Sequence, residues 1–328
     1  MQIKRIKNEH ICDSILQFAA YLTSKGRQNS TIKRYAYDLE DCFHYLEEKK
    51  KITSHAIWDT FTTDDYRSYF SVLANERHYS DKTLHRILVV LNQFFTFLRQ
   101  QNVAITNPIH TLSITIRPDR NFTDDDFITS TEEKELIATM HSFNGLSEKQ
   151  IEPRKLLLHR NLSIVYLMLY YGVTLKELVS IEMKDVHLEN NTISIPAASG
   201  KARTITLLDT HKKTLYTYIK KIPEAVRPKY HSTNPLFIAF DFNRGTYRWV
   251  YENDAPKGLT EISVQKMIRL EVKRANLRKG ICAQHFRNTF ILHLLEQSYS
   301  EKEIMAKAGF KTKISLRRFL HYANKEKV

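Results

Sequence analysis

The chain has 328 residues with only 8 glycines and 8 prolines, a composition that favours a mainly helical protein of two domains, each with its own core. No stretch approaches the roughly 18 apolar residues of a membrane span, so no membrane partner is expected. Its three cysteines (Cys12, Cys42 and Cys282) are far apart and include no CxxC pair. This is typical of a reducing cytoplasm, and neither a metal site nor a cofactor is predicted.

Positive charge is concentrated in the last third of the chain. The formal net charge is +14, and residues 211–328 hold 24 Lys and Arg against 10 Asp and Glu, whereas residues 1–210 are balanced. A solvated basic surface, RNA or an anionic membrane would also account for an excess of this size. Because the positive charge is concentrated in one region and interleaved with Tyr and His, it favours a long and regular polyanion as the partner. Double-stranded DNA is therefore the predicted partner.

Apolar residues at helical spacing mark a first domain, predicted over residues 1–115. One of its helices covers "STIKRYAYDLEDCFHYLEEKK", and the next follows the acidic "TTDD". A further helix, "DKTLHRILVVLNQFFTFLRQQ", ends before an "NP" pair. The stretch over residues 116–130 has no helical period and is predicted to be a linker.

The second domain, predicted over residues 131–328, combines helices with one small β-hairpin. The alternation in "NNTISIPAASGKARTITLL" predicts strand, turn and strand, with Gly200 in the turn. The predicted fold class is therefore mainly α, in two domains, with a small sheet in the second. Its helices are predicted over residues 130–143, 155–171, 209–221, 261–276, 284–297, 301–308 and 313–322.

Four blocks in the second half follow the order of the tyrosine recombinase (phage integrase) family. "YLMLYYGVTLKELVSIEMKDV" resembles Y-x-x-G-L-R-x-x-E-L-x-x-L-x-x-x-D-x, and "GKARTITL" resembles the hairpin that carries the family's active-site lysine. "AQHFRNTFILHLLEQSYSEKEI" resembles H-x-L-R-H-T-F-A-x-x-L-x-x-x-G, and "AGFKTKISLRRFLHY" resembles L-G-H-x-x-x-x-T-x-x-Y. In the first half, "TIKRYAYDLEDCFHYL" and "DKTLHRILVVLNQFFTFL" resemble the family's helical core-binding (SAM-like) domain. The resemblance covers nearly the whole chain and implies two domains that clamp a DNA duplex.

The family's reaction is DNA strand exchange, in which a tyrosine hydroxyl attacks the scissile phosphate while arginine and histidine side chains hold the transition state. Compared with the family's motifs, the chain keeps one of the two arginines, Arg287. It has Thr174 at the position of the other arginine and Gln284 at the position of the histidine that precedes Arg287. Phe310 stands at the histidine of the last block, and Phe319 stands at the nucleophile. Because phenylalanine cannot form a phosphate ester, the resemblance implies a catalytically degenerate member. We therefore predict that the chain is not an enzyme.

Neighbouring residues define the alternative, an active and divergent recombinase. Tyr322 follows Phe319 by three residues, which is ~60° around a helix and ~4.5 Å along its axis. His285 lies one residue beyond the family's histidine position. A displacement of even ~1 Å can cost about 10²-fold in rate, which favours the degenerate interpretation. Lys201 reaches the family's lysine position if the hairpin is shortened, whereas alignment on Arg203 places an alanine there.

The predicted DNA contacts are basic side chains in both domains, because phosphate contacts need no nucleophile. Helices in adjacent major grooves would read the bases, and Lys266, Arg269 and Lys273 have the spacing of one helix face. Arg287 is predicted to meet a phosphate. The full predicted set is Lys33, Arg34, Lys82, His85, Arg86, Lys201, Arg203, Arg244, Arg248, Lys266, Arg269, Lys273, Arg274 and Arg287.

These observations predict a sequence-specific double-stranded DNA-binding protein, acting as a transcriptional repressor that maintains lysogeny in a prophage or other mobile element. The repressor role rests on a resemblance to the recombinase-like lysogeny repressors of SPbeta-type Bacillus prophages. The alternatives are an active integrase that uses Tyr322 and an accessory architectural subunit of a recombination complex. Only nine residues follow Phe319, which is short for the helix that family members donate to a neighbouring subunit. A monomer or dimer is therefore expected rather than a cyclic tetramer, located in the cytoplasm at the nucleoid.

Overall fold

The chain folds into two compact units, residues 1–119 and 120–328. Most of the described residues are helical, as the composition predicts. Within them, no helix is both long enough and apolar enough to cross a bilayer. Part of the predicted linker, residues 116–120, lies outside the described residues. The computed structural model describes residues 5–50, 57–103, 106–112 and 121–325.

Five helices make up the described part of the first unit, and side-chain caps define where two of them begin. The Asn8 side chain accepts hydrogen bonds from the backbone N–H groups of His10 and Ile11. The Ser80 hydroxyl accepts one from the backbone N–H of Thr83, and each bond satisfies a donor that the first helical turn leaves free. The helices are α1 (Glu9–Ser24), α2 (Asn29–Lys49), α3 (Ile57–Thr60), α4 (Thr63–Asn75) and α5 (Asp81–Gln100).

Aromatic side chains form the centre of the first unit's core. Phe94 of α5 is fully buried, and its ring lies edge-on to Phe18 of α1 with centroids 5.4 Å apart. It also contacts Phe43 of α2 at 5.5 Å. Such aromatic pairs add about 0.5–1.5 kcal/mol each beyond the burial of their area. Because one ring contacts two neighbouring helices, Phe94 helps to fix the surface that α2 and α5 share.

Eight helices and seven short strands make up the described part of the second unit. Its hydrophobic core is built on α7, whose side chains contact those of α9 and α11. The helices are α6 (Ser130–His141), α7 (Glu148–Tyr171), α8 (Leu175–Val179), α9 (Asp209–Lys221), α10 (Glu261–Arg274), α11 (Ala283–Glu296), α12 (Glu301–Ala308) and α13 (Ile314–Lys325). The strands are β1 (Val186–His187), β2 (Thr192–Ile195), β3 (Arg203–Thr206), β4 (Phe240–Asp241), β5 (Thr246–Tyr247), β6 (Trp249–Val250) and β7 (Ala255–Pro256).

The start of α7 differs from the sequence prediction. The helix begins at Glu148 and not at residue 155, because Ser147 and Gln150 form a capping box there. Pro153 lies inside the helix without ending it, which is why the apolar pattern is visible only beyond it. The other predicted helices of this unit agree with the observed ones to within a few residues at each end.

The predicted hairpin is present as two strands of a three-stranded antiparallel sheet in the order β1–β2–β3. Ile193 pairs with Ile205, and both side chains are buried while Thr204 is exposed. In the turn, a Cβ on Gly200 would lie 2.4 Å from the carbonyl oxygen of Gly309. Glycine is therefore required by close approach of the backbone, and the hairpin tip lies against the end of α12.

An aromatic cluster joins the start of the second unit to its last helix. The Phe127 ring contacts Tyr322 of α13 in a tilted arrangement with ring centroids 4.5 Å apart, and Phe122 contacts Phe319 at 4.7 Å. The short 3-10 helix Asp124–Asp126 lies between these two phenylalanines. Residues 121–129, which the sequence assigns to the linker, thus pack as part of the second unit.

Candidate nucleic-acid interface

Two helices of the first unit bring basic side chains together around one buried carboxylate. Asp38 of α2 is 3% exposed. Its Oδ1 lies 3.5 Å from Nε of Arg34, one turn earlier, and its Oδ2 contacts Arg86 of α5. Two guanidinium groups on one carboxylate keep a net positive charge while the ion pairs orient both groups. The sequence predicts both arginines but not Asp38, although a carboxylate four residues after Arg34 was an available signal.

The other predicted contacts of the first unit are exposed and close in sequence to these arginines. Lys33 precedes Arg34 on α2, and Lys82 lies one turn before Arg86 on α5, which places it on the same side of that helix. His85 is also exposed. The predicted contacts of this unit therefore lie on two helices that the Asp38 ion pairs connect.

The hairpin of the second unit exposes one of its two cations and buries the other. The Lys201 side chain is exposed, while its backbone N–H donates to the carbonyl oxygen of Gly309 at 2.9 Å. The Arg203 side chain is 6% exposed and donates to both carboxylate oxygens of Glu177, at 2.9 and 3.1 Å. Burial acts to raise the pKa of Glu177, but the hydrogen bonds from Arg203 and the Thr174 backbone outweigh it and lower that pKa. The Arg203 guanidinium is thus used inside the fold, and a DNA contact would require this ion pair to open.

Arg287, the retained family arginine, is engaged by backbone carbonyl groups. It is 8% exposed and donates to the carbonyl oxygens of Gly172 and, at 2.6 Å, of Ala308. Its guanidinium carbon lies 5.2 Å from the centroid of the Phe310 ring, a cation–π distance. Burial lowers the pKa of Arg287 to about 10 while the charge of Glu177 opposes that shift, so the group stays charged at neutral pH. A phosphate contact would have to replace or join these carbonyl groups.

Two of the replaced family positions serve local structure. Thr174 is the N-cap of α8, where its Oγ1 accepts from the Glu177 backbone N–H at 3.2 Å and lies 2.7 Å from Oγ of Ser199. Gln284, exposed in the first turn of α11, donates to Oδ1 of Asn288 at 2.8 Å. A small hydroxyl at position 174 therefore begins a helix and holds the hairpin.

Phe319 and Tyr322 of α13 both pack into the aromatic cluster. Phe319 is 5% exposed, with Phe122 at 4.7 Å and Phe310 at 6.4 Å between ring centroids. Tyr322 is 8% exposed, and its hydroxyl donates to Oδ1 of Asp124 at 2.9 Å. A tyrosine nucleophile must place its oxygen against a phosphorus atom, so Tyr322 would have to exchange Asp124 for the phosphate before it could react.

His285, the neighbour of the family's histidine position, is paired with a thiol. Its Nδ1 lies 3.2 Å from Sγ of Cys282 and accepts from the Cys282 backbone N–H at 3.1 Å. The hydrogen bond between the two side chains raises the pKa of His285 and lowers the pKa of the Cys282 thiol. This pair is not predicted from the sequence, although an i, i+3 pair at the start of a helix has the spacing of a capping box.

The predicted contacts on α10 separate into exposed and buried groups. Lys266, Arg269 and Lys273 are exposed. The Arg274 side chain is 6% exposed and donates to the Ser142 carbonyl oxygen and to Glu271, each at 2.8 Å. Arg274 therefore holds the end of α10 against the segment after α6.

Arg244 and Arg248 lie on either side of β5, away from α10 in sequence, and both are exposed. Oδ2 of Asp241 lies 3.6 Å from Nε of Arg248, and Oδ1 of Asp241 accepts from the Arg244 backbone N–H at 3.2 Å. As DNA contacts these two residues stay predictions, as does the whole predicted set.

Two aliphatic residues on the exposed surface of α10 are not among the site residues predicted from the sequence. Ile262 and Leu270 are 65% and 61% exposed; Lys266 and Arg269 lie between them along the helix, and Lys273 lies one turn beyond Leu270. Their spacing of eight residues was visible in the sequence, but apolar residues at helical spacing were taken to face the core.

Two sequence models match the chain, and their boundaries follow the two units. A model described as the phage integrase family matches residues 126–326, and one described as the phage integrase N-terminal SAM-like domain matches residues 15–102. The chain belongs to the phage integrase family of tyrosine recombinases. The predicted family and the predicted fold class are both confirmed.

Similar curated proteins carry the names of bacterial recombinases. Tyrosine recombinase XerD of Oceanobacillus iheyensis is 23% identical over 83% of this chain and 80% of its own length. XerD of Staphylococcus saprophyticus is 26% identical over 87% and 85%, and XerC of Caldanaerobacter subterraneus is 25% identical over 88% and 75%. This tyrosine recombinase-family chain therefore spans most of the length of these relatives.

Solved structures of similar fold include complexes with DNA. A Tn1549 transposon integrase in complex with transposon right end DNA has a TM-score of 0.65 at 17% identity, over 96% of this chain and 98% of that one. The XerH site-specific recombinase bound to difH substrate has a TM-score of 0.65 at 17% identity, over 99% and 90%. These likenesses show the fold.

The relatives correct one prediction made from the sequence. The replacements at Thr174, Gln284, Phe310 and Phe319 predicted that the chain is not an enzyme, but its relatives are named tyrosine recombinases, a class of enzymes. That prediction inferred function from single positions, whereas the similarity extends over the whole length and places the chain in an enzyme family.

Proposed function

We propose that this tyrosine recombinase-family chain binds duplex DNA at specific sites through basic surfaces in both units. The observation that carries the proposal is the outward surface of α10, where Lys266, Arg269 and Lys273 are exposed. Within the described part of the chain, none of the three forms an ion pair. Such cations bind phosphates favourably because they release counterions from the duplex. The named structural neighbours that are complexes with DNA support the same partner.

Selection of bound duplexes from a random pool, followed by titration at several salt concentrations, tests the proposal. We expect a specific site, and we expect Lys266→Ala, Arg269→Ala and Lys273→Ala combined to reduce the slope of log K against log salt by about 3, at about 0.9 per phosphate lost. Lys155→Ala is the matched control, because Lys155 is exposed on α7 and paired with Glu152. A triple variant with the slope of the unchanged protein would contradict a phosphate role for α10.

Strand exchange at the bound site is the proposed reaction, because the similar curated proteins carry the name of tyrosine recombinases. Tyr322 is the candidate nucleophile, with Arg287 and His285 as its candidate partners. In cleavage, the Tyr322 oxygen would bond to phosphorus, and the deoxyribose oxygen would leave with a proton. Tyr322 would first have to give up its 2.9 Å hydrogen bond to Asp124, so DNA binding would have to displace the Asp124 segment or rotate α13.

A nicked suicide substrate that carries the selected site tests this chemistry. We expect a covalent protein–DNA adduct on a denaturing gel that is lost in Tyr322→Phe and kept in Tyr299→Phe. Tyr299, whose ring lies 4.9 Å from Nζ of Lys307, is the control. An adduct that persists in Tyr322→Phe would contradict the assignment of the nucleophile, and no adduct at all would favour the second candidate function.

The second candidate is transcriptional control in a prophage or other mobile element, with an accessory role in recombination as its variant. It is favoured by the packing of Phe319 and by the two carbonyl groups on Arg287, since an operator-binding protein needs neither a free nucleophile nor a free arginine. Mapping of bound sites across the host and prophage genome separates these functions. Many promoter sites would support a repressor at the nucleoid, whereas one attachment junction would support recombination or an accessory role. Sedimentation of the DNA complex would test the predicted monomer or dimer.

A further inference from the structure

The outward surface of α10 combines exposed aliphatic side chains with cations. Ile262 and Leu270 are 65% and 61% exposed, and Lys266, Arg269 and Lys273 lie between or beside them. Large aliphatic side chains in water carry an unfavourable hydration free energy that burial against an apolar group would recover. A surface that has both features is suited to a partner with anionic edges and apolar groups between them.

The five side chains share one side of the helix. At ~100° per residue, Ile262, Lys266, Arg269, Leu270 and Lys273 fall within an arc of about 100°. The buried residues Val264, Ile268 and Val272 lie on the opposite side. Ile262 and Leu270 are eight residues apart and so about 12 Å apart along the axis.

Buried ion pairs hold α10 in place. Glu271, on the inner side of the helix, is 6% exposed and accepts hydrogen bonds from Arg154 of α7 and from Arg274. Arg274 also donates to the Ser142 carbonyl oxygen at 2.8 Å. A reading helix must be presented at a fixed orientation, and these contacts secure α10 without using its outer side chains.

The major groove of DNA offers a chemical match to this surface. It is wide enough to admit an α-helix, phosphates line both of its edges, and the aliphatic group that distinguishes one base there is the C5-methyl group of thymine. The distance of about 12 Å between Ile262 and Leu270 corresponds to three or four base-pair steps at about 3.4 Å each. Cations between the two aliphatic residues can reach phosphates or guanine acceptors.

We propose that α10 lies in the major groove, where Ile262 and Leu270 contact the methyl groups of two thymines three or four base pairs apart. This inference rests on the proposed function, because it requires duplex DNA as the partner. It adds a sequence preference that charge alone does not give, since phosphate contacts carry no base information. Removal of one methyl group should weaken binding about fourfold.

Uracil substitution tests the inference without changing a base pair, because uracil is thymine without its methyl group. Each thymine of the selected site is replaced singly, and binding is measured for the unchanged protein, Ile262→Ala and Leu270→Ala. We expect two thymines, three or four base pairs apart, at which uracil costs about fourfold. One of these losses should disappear in Ile262→Ala and the other in Leu270→Ala. Leu208→Ala is the matched control, because Leu208 is 62% exposed and precedes α9.

The outcomes separate this inference from the proposed function. A protein that selects no DNA site overturns both. A protein that binds its site but is insensitive to uracil, or keeps both losses in the alanine variants, overturns only the thymine contacts. If Leu270→Ala instead changes the self-association of the free protein in sedimentation, with uracil sensitivity unaltered, the surface is an interface between copies and the inference is wrong.

Discussion

Arg287 shows how a family residue can be present while its donors are occupied. Its guanidinium bonds to Gly172 and Ala308, both of them backbone carbonyl groups that lie far apart in sequence. Gly172 itself has a φ of +61°, and a Cβ there would lie 2.3 Å from the Phe290 ring, so the carbonyl group that Arg287 meets is fixed by a residue that must be glycine.

Arg287→Ala is therefore expected to destabilise the fold. Loss of the guanidinium removes the side-chain donor of the Ala308 carbonyl group and leaves the Gly172 carbonyl group with only Nη2 of Arg203, at 3.3 Å. We expect this to lower the free energy of unfolding by about 3 kcal/mol, as measured by urea denaturation. Arg287→Lys, which keeps the charge but has fewer donors, should lose less. The alternative outcome, unchanged stability with a salt slope of DNA binding reduced by about 1, would show that Arg287 is mainly a phosphate contact.

His211 is one of the histidines whose surroundings predict that stability depends on pH. Its ring stacks on Tyr166 and Tyr170 with centroid distances of 4.3 and 5.0 Å, and its Nδ1 lies 2.9 Å from the hydroxyl of Tyr171. Burial lowers the pKa of His211 in the folded protein. The unfolded chain, whose histidine titrates near pH ~6.5, therefore takes up the proton first as pH falls.

The stabilisation from neutral His211 is thus complete above pH ~6.5 and is lost as pH falls below that value toward the lower folded-state pKa. We expect the free energy of unfolding to fall between pH 7.5 and 5.5, and His211→Gln to reduce that fall. The unchanged protein and His211→Gln must be compared, because His159 also makes stability fall as pH falls. Burial lowers the pKa of His159 as well. His285 contributes in the opposite direction, because its pKa is raised. An identical pH dependence in both proteins would contradict the assignment to His211.

At the scale of elements, α2 and α5 are joined by charge as well as by their aromatic core. Asp38 is buried at 3% exposure and meets Arg34 of its own helix and Arg86 of α5. A buried carboxylate is costly unless it is paired, so the arginines stabilise Asp38 while Asp38 orients them. This arrangement makes Asp38 a candidate positioning residue for the basic surface of the first unit.

Asp38→Asn should reduce the sequence specificity of DNA binding more than the non-specific affinity for DNA. The amide keeps the shape of the carboxylate but releases both guanidinium groups, so we expect the ratio of specific to non-specific affinity to fall about tenfold while non-specific binding is kept or strengthened. Fluorescence anisotropy with the selected site and with a scrambled duplex measures this ratio. Asp64→Asn, at an exposed ion pair with Arg67, is the control. An unchanged ratio would mean that Asp38 serves only the fold.

At the scale of the whole molecule, the charge distribution sets how strongly salt should affect binding. The net charge is +14, with its excess in residues 211–328, and exposed cations lie in both units. If six or more phosphates are neutralised, affinity should fall by about 10³-fold or more between 50 and 200 mM salt. Titration of one duplex across this range is the measurement, and a dependence of only a few-fold would contradict binding through many phosphates.

Local patterns in the sequence are sufficient to predict most of the helices, the hairpin, the excess of positive charge and the family. Helix limits depend on caps and apolar spacing within about four residues, and these signals gave α9 and α12 at their observed ends. The start of α7 was predicted too late in the chain, because Pro153 follows the capped first turn and a proline inside a helical pattern usually marks a helix boundary. Family membership could be predicted because four motifs occur in the family's order along the chain, and no single substitution removes a pattern of that length.

Which cations are available to a partner depends on contacts that form only in the folded chain. Arg203, Arg274 and Arg287 look like Lys266 in a sequence, yet their donors are taken by Glu177, Glu271 and backbone carbonyl groups. In the same way, the Tyr322 hydroxyl bonds to Asp124, which lies 198 residues away in the chain. These pairs form because a buried donor or charge without a partner raises the free energy of the fold more than an exposed one does. Their partners come from segments that are distant in the chain, and local sequence patterns do not show which distant segments meet.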